Sequence, residues 1–303
     1  MPQRTLQLFV PAITPFRDDL SVDTAALVRF GKALLSAGAH GLAPFGTTSE
    51  ANSLTVAERI AALEALIEGG IPGAALIPGT GCCAEGDTVA LTRHAVGLGC
   101  GGALMLPPFY YKGVSEDGVF ASYARVIETV GDARLKVYLY HIPQMTGVPI
   151  TLPLIERLLK AYPATIAGLK DSSGNWENTR AVIAEFPNMD TYSASEALIP
   201  ANAAAGGAGC ISASANVNAA GIRALIDGLG TARETALLEQ VAGVRRIFES
   251  LPLIPSIKAA VASQLGDPAY ARVRPPLVPP PASATAQIAE GVRLAGAVPE
   301  GVR

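Results

Sequence analysis

The chain has 303 residues, of which 50% are hydrophobic and 16% charged, a balance that supports a large buried core and excludes intrinsic disorder over most of the length. The net charge of −3 leaves no basic surplus for neutralising a phosphate backbone, so we expect no nucleic-acid partner. The apolar runs are shorter than the roughly 20 residues of a membrane-spanning helix, so we also expect no membrane partner.

The first residues and the cysteines indicate the compartment. Residues 1–6 carry no apolar segment with a small-residue cleavage site, which predicts a cytoplasmic start and no signal peptide. Cys82 and Cys83 are adjacent and poorly placed for a disulfide, and the four cysteines fit a reducing compartment. Since no CxxC pair or histidine cluster is present, we expect no metal site.

Short apolar runs alternate along the chain with longer amphipathic segments. The runs predict strands, which are Leu8–Thr14, Gly41–Phe45, Ala74–Thr80, Gly102–Pro107, Lys136–Ile142, Ile166–Ser173, Met189–Ser195 and Gly209–Asn216. The amphipathic segments predict helices, which are Thr24–Ser36, Thr55–Glu68, Glu85–Leu98, Glu116–Val130, Pro153–Ala161, Glu177–Glu185, Ala197–Ala205 and Ala219–Gly228. A capping box at Thr55 and Glu58, and a cap at Asp23 or Ser21, mark helix starts.

Eight strand–helix units predict an α/β fold of the (β/α)8 TIM barrel class over residues 1–230. An open, doubly wound sheet is the alternative, but no GxGxxG motif follows the first strand. Residues 231–303 lack strands and predict a C-terminal helical extension. Its helices are Ala232–Leu251, Pro255–Leu265 and Ser283–Leu294, with a proline-rich connector at residues 274–281.

Lys170 is the first candidate for catalysis, because the active site of such a barrel lies at the C-terminal ends of its strands. The lysine emerges from the buried strand Ile166–Ser173, and Leu169 must face the opposite way. Burying a lysine favours its neutral amine, which can attack a carbonyl carbon. An equally acceptable alternative is a structural lysine paired with a buried carboxylate, either Asp171 or Glu196.

Other strand ends carry hydroxyl groups. Tyr140 could transfer a proton through a relay that includes Thr47 and Tyr110. Thr47 and Thr48 could bind a carboxylate through hydroxyl and backbone N–H groups. Each residue alone has an ordinary alternative, as a packing aromatic or as part of a turn. We assign no histidine to metal binding or catalysis.

Four segments together carry a resemblance. They are Gly46-Thr47-Thr48-Ser49-Glu50, Pro108-Phe109-Tyr110-Tyr111, Tyr140-His141-Ile142-Pro143 and Gly168-Leu169-Lys170-Asp171-Ser172-Ser173-Gly174. In order and spacing they resemble the dihydrodipicolinate synthase / N-acetylneuraminate lyase family. That family consists of pyruvate-handling class I aldolases on (β/α)8 barrels with a C-terminal helical extension, usually homotetramers. The resemblance implies a small-molecule substrate, a homo-oligomer (tetramer or dimer) and no cofactor beyond the lysine imine.

The resemblance also implies roles for individual residues. Lys170 would form the Schiff base with pyruvate or another 2-oxo acid, and Tyr140 would move protons to and from the bound substrate. Thr47 and Tyr110 would be the relay partners, with the counterpart of Tyr110 supplied by a neighbouring subunit. The substrate-binding residues would be Thr47, Thr48, Ile211, Ser172 and Met145.

Departures from the family pattern concern the second substrate. Met145 stands where the synthase has an arginine for a carboxylate, and neutral methionine cannot make that contact. Ala197, next to Glu196, stands where the lyase has an acidic residue. His141 replaces an asparagine, and Ser49 replaces a glycine.

These observations predict a class I aldolase or lyase that condenses pyruvate with an aldehyde or releases it from a 2-oxo acid. One alternative is a Schiff-base dehydratase of a 2-oxo-3-deoxy sugar acid, and another is dihydrodipicolinate synthase proper. A third, outside enzyme chemistry, is a sensor that binds a 2-oxo acid without turnover.

Overall fold

The computed structural model describes residues 4–295 of the chain. The predicted cytoplasmic start at residues 1–3 and the last eight residues of the predicted extension lie outside the described residues. Among the helices of residues 4–295, none combines the length and the apolar character needed to cross a membrane.

Within residues 4–295 the chain forms seven strands and twelve α-helices. The strands are β1 (Gln7–Val10), β2 (Gly41–Leu42), β3 (Ala103–Met105), β4 (Val137–His141), β5 (Ile166–Asp171), β6 (Asp190–Ser193) and β7 (Gly209–Ile211). The helices are α1 (Thr24–Ser36), α2 (Val56–Glu68), α3 (Glu85–Gly97), α4 (Glu116–Val130), α5 (Pro143–Thr146), α6 (Leu152–Ala161), α7 (Trp176–Glu185), α8 (Ile199–Ala205), α9 (Ala215–Gly228), α10 (Glu234–Glu249), α11 (Leu253–Leu265) and α12 (Ala282–Leu294).

The first of two compact units comprises residues 4–6 and Pro72–Cys210. Its strands β3 to β7 are parallel, and each pairs with the next in chain order. Apolar side chains of α3, α4, α6 and α7 pack against one face of these strands, where Leu139 and Leu169 lie in the core. Since successive strand residues point to opposite faces, Tyr140 and Lys170 lie on the other face of the same strands.

The second unit comprises Gln7–Ile71 and residues 211–295. Its strands β1 and β2 are parallel, with Phe9 paired to Gly41 and Val10 to Leu42. Helix α9 packs on β1, and α11 packs against α9, α10 and α12. Every residue of α11 from Pro255 to Ala262 is buried, which places the middle turns of this helix inside the unit.

Local signals in the sequence located many elements. The helices predicted at 24–36 and 116–130 are confirmed at both ends. Asp23 caps α1 by accepting a hydrogen bond from Ala26 N at 2.9 Å. The predicted capping box is confirmed, because Thr55 Oγ1 accepts from Glu58 N at 3.2 Å and the Glu58 carboxylate accepts from Thr55 N at 2.8 Å. The predicted α/β architecture with parallel strands is also confirmed, because the strands of each unit pair in parallel.

The strand predicted at Ala74–Thr80 is wrong. Gly73–Ala75 forms a short 3-10 turn, and the segment pairs with Leu104 through a single parallel bridge at Gly79. Leu104 N donates to Pro78 O at 2.9 Å, and Thr80 N donates to Leu104 O at 2.9 Å. Pro78 has no N–H with which to extend this ladder toward its N-terminal side.

The strand predicted at Gly209–Asn216 is too long. Strand β7 ends at Ile211, and α9 begins at Ala215. Asn216 turns its side chain back onto the exit of β1, where Asn216 Oδ1 accepts from Ile13 N at 3.0 Å and Asn216 Nδ2 donates to Pro11 O at 3.1 Å. These hydrogen bonds join residues more than 200 positions apart, so the local sequence pattern cannot predict them. They favour the start of helix α9 at this point over a longer strand.

Candidate active site

Strands β4 and β5 bring Tyr140 and Lys170 side by side in the first unit. The parallel register pairs the two residues directly. Lys170 Nζ donates to Tyr140 Oη at 3.2 Å and lies 4.3 Å from the centre of the tyrosine ring. Both side chains are buried, with Lys170 only 4% exposed. An amine and a phenol at this distance can exchange a proton.

Asp171, which could have paired with Lys170 in a purely structural role, has other partners. Its carboxylate accepts from Ser173 N at 2.9 Å, Asn178 Nδ2 at 2.8 Å and Thr179 Oγ1 at 2.8 Å. These groups belong to the β5–α7 connection and to α7, on the helix side of the sheet. The hydrogen-bond partner of Lys170 Nζ is thus the Tyr140 hydroxyl, not Asp171. Glu196, the other alternative, is buried in a 3-10 turn.

His141 fixes the loop that follows Tyr140. His141 Nδ1 accepts from Ile150 N at 3.1 Å, and His141 O accepts from Ser172 N at 2.7 Å. Burial lowers the pKa of the His141 imidazole, although the Asp171 carboxylate opposes the shift. A neutral imidazole is what an accepting Nδ1 requires. The histidine at this position therefore holds the two ends of the segment that carries Met145.

The other predicted residues of this unit are more exposed than Lys170 and Tyr140. Tyr110 is 74% exposed and its ring packs edge-on against Tyr111, with 5.4 Å between the ring centres. Met145 is 62% exposed on α5. Ser172 is half-buried directly after β5.

Two residues that the sequence did not single out join the loops of this unit. Gln144 Nε2 donates to Ser172 O at 2.7 Å, which links α5 to the end of β5. Lys112 Nζ donates to Thr146 O at 2.7 Å and also to Phe109 O, which links the loops after β3 and β4. All three acceptors are backbone carbonyls, so no pattern of side chains in the sequence could have predicted these contacts.

In the second unit, Thr47 and Thr48 lie in a tight turn after β2. Ser49 N and Ala51 N donate to Gly46 O, both at 3.2 Å, and Glu50 N donates to Thr47 O at 3.1 Å. Thr48 is buried and Thr47 half-buried. This turn presents clustered hydroxyl and backbone groups, as an anion-binding segment requires. Ile211, the other predicted residue of this unit, is the buried last residue of β7.

Ser49, the departure from glycine in this turn, makes its own contacts. Ser49 Oγ donates to Ala12 O at 2.6 Å, and Ser49 O accepts from Thr14 Oγ1 at 2.7 Å. The left-handed residue of the turn is Glu50, with φ of 58°, so a side chain at position 49 introduces no strain of that kind.

A buried ion pair lies behind the turn, and sequence reasoning missed it. Lys258 Nζ lies 2.6 Å from Glu50 Oε1, and both side chains are fully buried. Burial lowers the pKa of the Lys258 ammonium to about 8, and the Glu50 carboxylate opposes that shift. The available signal was a single lysine in the apolar run Ser256-Ile257-Lys258-Ala259. Within residues 4–295, no group of three or more His, Cys, Asp and Glu side chains is arranged to hold a metal ion.

Comparisons with known proteins agree with the resemblance noted in the motifs. The chain is 38% identical over 269 residues to an uncharacterized DapA-like lyase from Chloroflexus aurantiacus, covering 88% of this chain and 89% of the relative. It is 30% identical to the 4-hydroxy-tetrahydrodipicolinate synthase of Chlorobium limicola, over 74% of each chain. The crystal structure of dihydrodipicolinate synthase from Agrobacterium tumefaciens is 29% identical, with a TM-score of 0.89 over 96% of this chain and 99% of that chain.

The family model agrees with these relatives. The model for the Dihydrodipicolinate synthetase family matches residues 4–294, which is nearly the whole chain. This match includes the strand ends that carry Lys170 and Tyr140 and the turn that carries Thr47. The protein is therefore a member of the Dihydrodipicolinate synthetase family and an enzyme of its lyase and aldolase group.

Proposed function

We propose that the protein is a class I aldolase or lyase that joins pyruvate to an aldehyde, or releases pyruvate from a 2-oxo acid, through an imine on Lys170. The observation that carries the proposal is the buried contact of 3.2 Å between Lys170 Nζ and Tyr140 Oη. A shielded amine beside a proton-transferring hydroxyl is the arrangement that imine formation requires.

The chemistry follows from these two groups. The neutral Lys170 amine attacks the 2-oxo carbon to give a carbinolamine, and loss of water gives the imine. The imine withdraws electrons from the adjacent methyl carbon, so a proton leaves that carbon and an enamine forms. The enamine carbon bonds to the aldehyde carbon while the aldehyde oxygen takes a proton, and hydrolysis releases the product and Lys170. Tyr140 is proposed to carry the protons in these steps.

The remaining site residues are proposed in the roles that the family resemblance gives them. Thr47 and Tyr110 would relay protons, and Tyr110 would act in a neighbouring subunit. Thr47 and Thr48 would bind the pyruvate carboxylate, and Ser172 and Ile211 would line the site. We propose a homo-oligomer, a tetramer or a dimer, that needs no cofactor and no metal and works in the cytoplasm.

The architecture belongs to the same proposal. We infer that the strands close into a (β/α)8 barrel formed by residues 1–230, with residues 231–303 as the helical extension. Membership of the family supports this inference. The dehydratase and sensor alternatives have no comparable support, because the relatives whose names state a reaction are dihydrodipicolinate-type synthases.

Reductive trapping tests this function. Incubation with pyruvate and borohydride is expected to add one reduced pyruvate unit to the peptide that contains Lys170, because reduction fixes the imine as a stable amine. Mass spectrometry of the digested protein measures the adduct. An adduct on another lysine, or none at all, would contradict the proposal. In reactions with 2-oxo acids, release of pyruvate identifies a lyase, whereas loss of water with all carbons retained identifies a dehydratase.

Met145 argues against dihydrodipicolinate synthase proper, because the second substrate of that enzyme, aspartate semialdehyde, carries a terminal carboxylate. A neutral methionine side chain cannot pair with that charge. Arg125 and Arg180, two cations that could have taken the place of the synthase arginine, form ion pairs elsewhere: Arg125 Nε lies 2.7 Å from Glu85 Oε2, and Arg180 Nη2 lies 2.6 Å from Glu177 Oε2. We therefore propose a neutral or weakly charged aldehyde as the partner of pyruvate.

Exchange of this residue tests the specificity. Met145→Arg is expected to raise kcat/KM for aspartate semialdehyde by roughly 30- to 150-fold, the effect of a charge-assisted contact of about 2–3 kcal/mol. Met145→Leu is the matched control, since it preserves size without charge. Steady-state kinetics with both variants measure the effect, and trapping of pyruvate on Lys170 should stay the same. Efficient use of aspartate semialdehyde by the wild-type enzyme would overturn the prediction.

A further inference from the structure

The buried pair of Glu50 and Lys258 is part of a fully partnered cluster within the second unit. Lys258 Nζ donates to Glu50 Oε1 at 2.6 Å and to Thr14 O at 2.8 Å, and it lies 4.2 Å from the centre of the Phe16 ring. The other carboxylate oxygen, Glu50 Oε2, accepts from Arg274 N at 2.9 Å. The carboxylate of Glu50 is thus held from two sides by the C-terminal part of the chain.

The guanidinium of Arg274 extends this cluster. It lies 4.9 Å from the centre of the Phe16 ring. Arg274 Nη1 donates to Ser53 O at 2.7 Å, and the group also pairs with Glu58 on α2. That contact is the largest cause that holds the pKa of the Glu58 carboxyl near 2. Both ends of the segment from Glu50 to Glu58 are therefore bound to Arg274, which lies in the connector after α11.

Glu50 closes the turn that carries Thr47 and Thr48. Its backbone is left-handed, with φ of 58° and ψ of 35°, a conformation that non-glycine residues adopt at a cost. In this conformation Glu50 N donates to Thr47 O at 3.1 Å and closes the turn. The side-chain contacts of Glu50 with Lys258 and Arg274 hold this residue in place at the end of the turn that carries Thr47 and Thr48.

We infer that Glu50 and Lys258 are positioning residues that set the affinity of the Thr47–Thr48 turn for the carboxylate of the 2-oxo acid, and that α11 acts on substrate binding through them. The inference rests on the proposed function for the role of the turn. A pair that only stabilised the fold would affect every reaction of the enzyme alike. A positioning pair would affect carboxylate-bearing substrates selectively.

Two ketones separate these cases, because pyruvate has a carboxylate and hydroxyacetone has none. For each, the concentration that gives half-maximal reductive trapping on Lys170 is measured in the full-length enzyme. Lys258→Met and Glu50→Gln are expected to raise this concentration about 10- to 100-fold for pyruvate, the scale expected when binding groups are misplaced. Trapping of hydroxyacetone should stay within about twofold of the wild type.

Val261→Ala is the control on the same helix, since it opens a small cavity at a buried position without touching the ion pair. It should change neither trapping curve. The double variant Glu50→Gln/Lys258→Met removes both charges and should recover thermal stability relative to Lys258→Met, because no unpaired charge stays buried. Its half-maximal pyruvate concentration should stay high. Recovery of pyruvate affinity together with stability would overturn the inference, as would an equal loss for both ketones.

Hydrogen exchange separates this inference from the proposed function. Lys258→Met should speed amide exchange in the peptide that covers residues 45–54, whatever reaction the enzyme performs. If the wild type is not trapped by pyruvate, the proposed function fails, whereas unchanged exchange in this peptide refutes the positioning role.

Discussion

Replacement of Lys170 by arginine is expected to lower kcat/KM by at least about four orders of magnitude, which is the scale of losing a covalent nucleophile. Arginine keeps the positive charge but stays protonated at any usable pH, so it offers no neutral amine to a carbonyl carbon. The reduced pyruvate adduct should disappear from the corresponding peptide.

The control for this substitution is Lys160→Arg, which changes an exposed lysine in the last turn of α6. It should leave kcat/KM unchanged. Circular dichroism and thermal melting establish that both variants are folded. Turnover by Lys170→Arg within tenfold of the wild type would mean that the imine forms elsewhere or not at all.

Replacement of Tyr140 by phenylalanine is expected to lower kcat by about 10²- to 10⁴-fold, the usual contribution of a positioned proton donor. The ring, and its contact of 4.3 Å with Lys170 Nζ, can be retained by phenylalanine, while the hydroxyl at 3.2 Å is lost. Binding of pyruvate should therefore change less than turnover does. Single-turnover kinetics, with trapping at the end of each time course, measure the two effects separately.

Tyr138→Phe provides a matched control on the same strand. Tyr138 is also buried, its ring lies 6.1 Å from that of Tyr192, and burial raises the pKa of its phenol to about 12. Loss of this hydroxyl should leave kcat within about twofold of the wild type. Equal losses in the two variants would indicate a packing effect and not proton transfer by Tyr140.

The sequence predicted that Lys170 matters but not which way it points. Alternation along a strand allows two directions, toward the helices or away from them. The structure decides between them through neighbours: Leu169 lies in the core shared with the helices, and Asp171 binds Asn178 and Thr179. Those contacts join residues up to eight positions apart, so they depend on where α7 begins relative to β5.

Other features were beyond local pattern for a similar reason. Glu50 and Lys258 are 208 residues apart, and the sequence around either residue does not indicate that the two form an ion pair. The strand wrongly predicted at Ala74–Thr80 is different, because Pro78 was a visible local signal against a regular strand in a segment whose apolar composition favours one. Helix ends were easier to locate, because a capping residue lies within one helical turn of the N–H group that it accepts from. Asp23, which accepts a hydrogen bond from Ala26 N, is an example.

The burial of Lys170 and Lys258 divides the few lysines of the chain into two classes. The other four, Lys32, Lys112, Lys136 and Lys160, are exposed. An amine-reactive dye or an activated solid support meets these four first, since the buried pair is reached only by small molecules or after unfolding. The enzyme can therefore be attached through its surface lysines while the amine at position 170 stays available to a small 2-oxo acid.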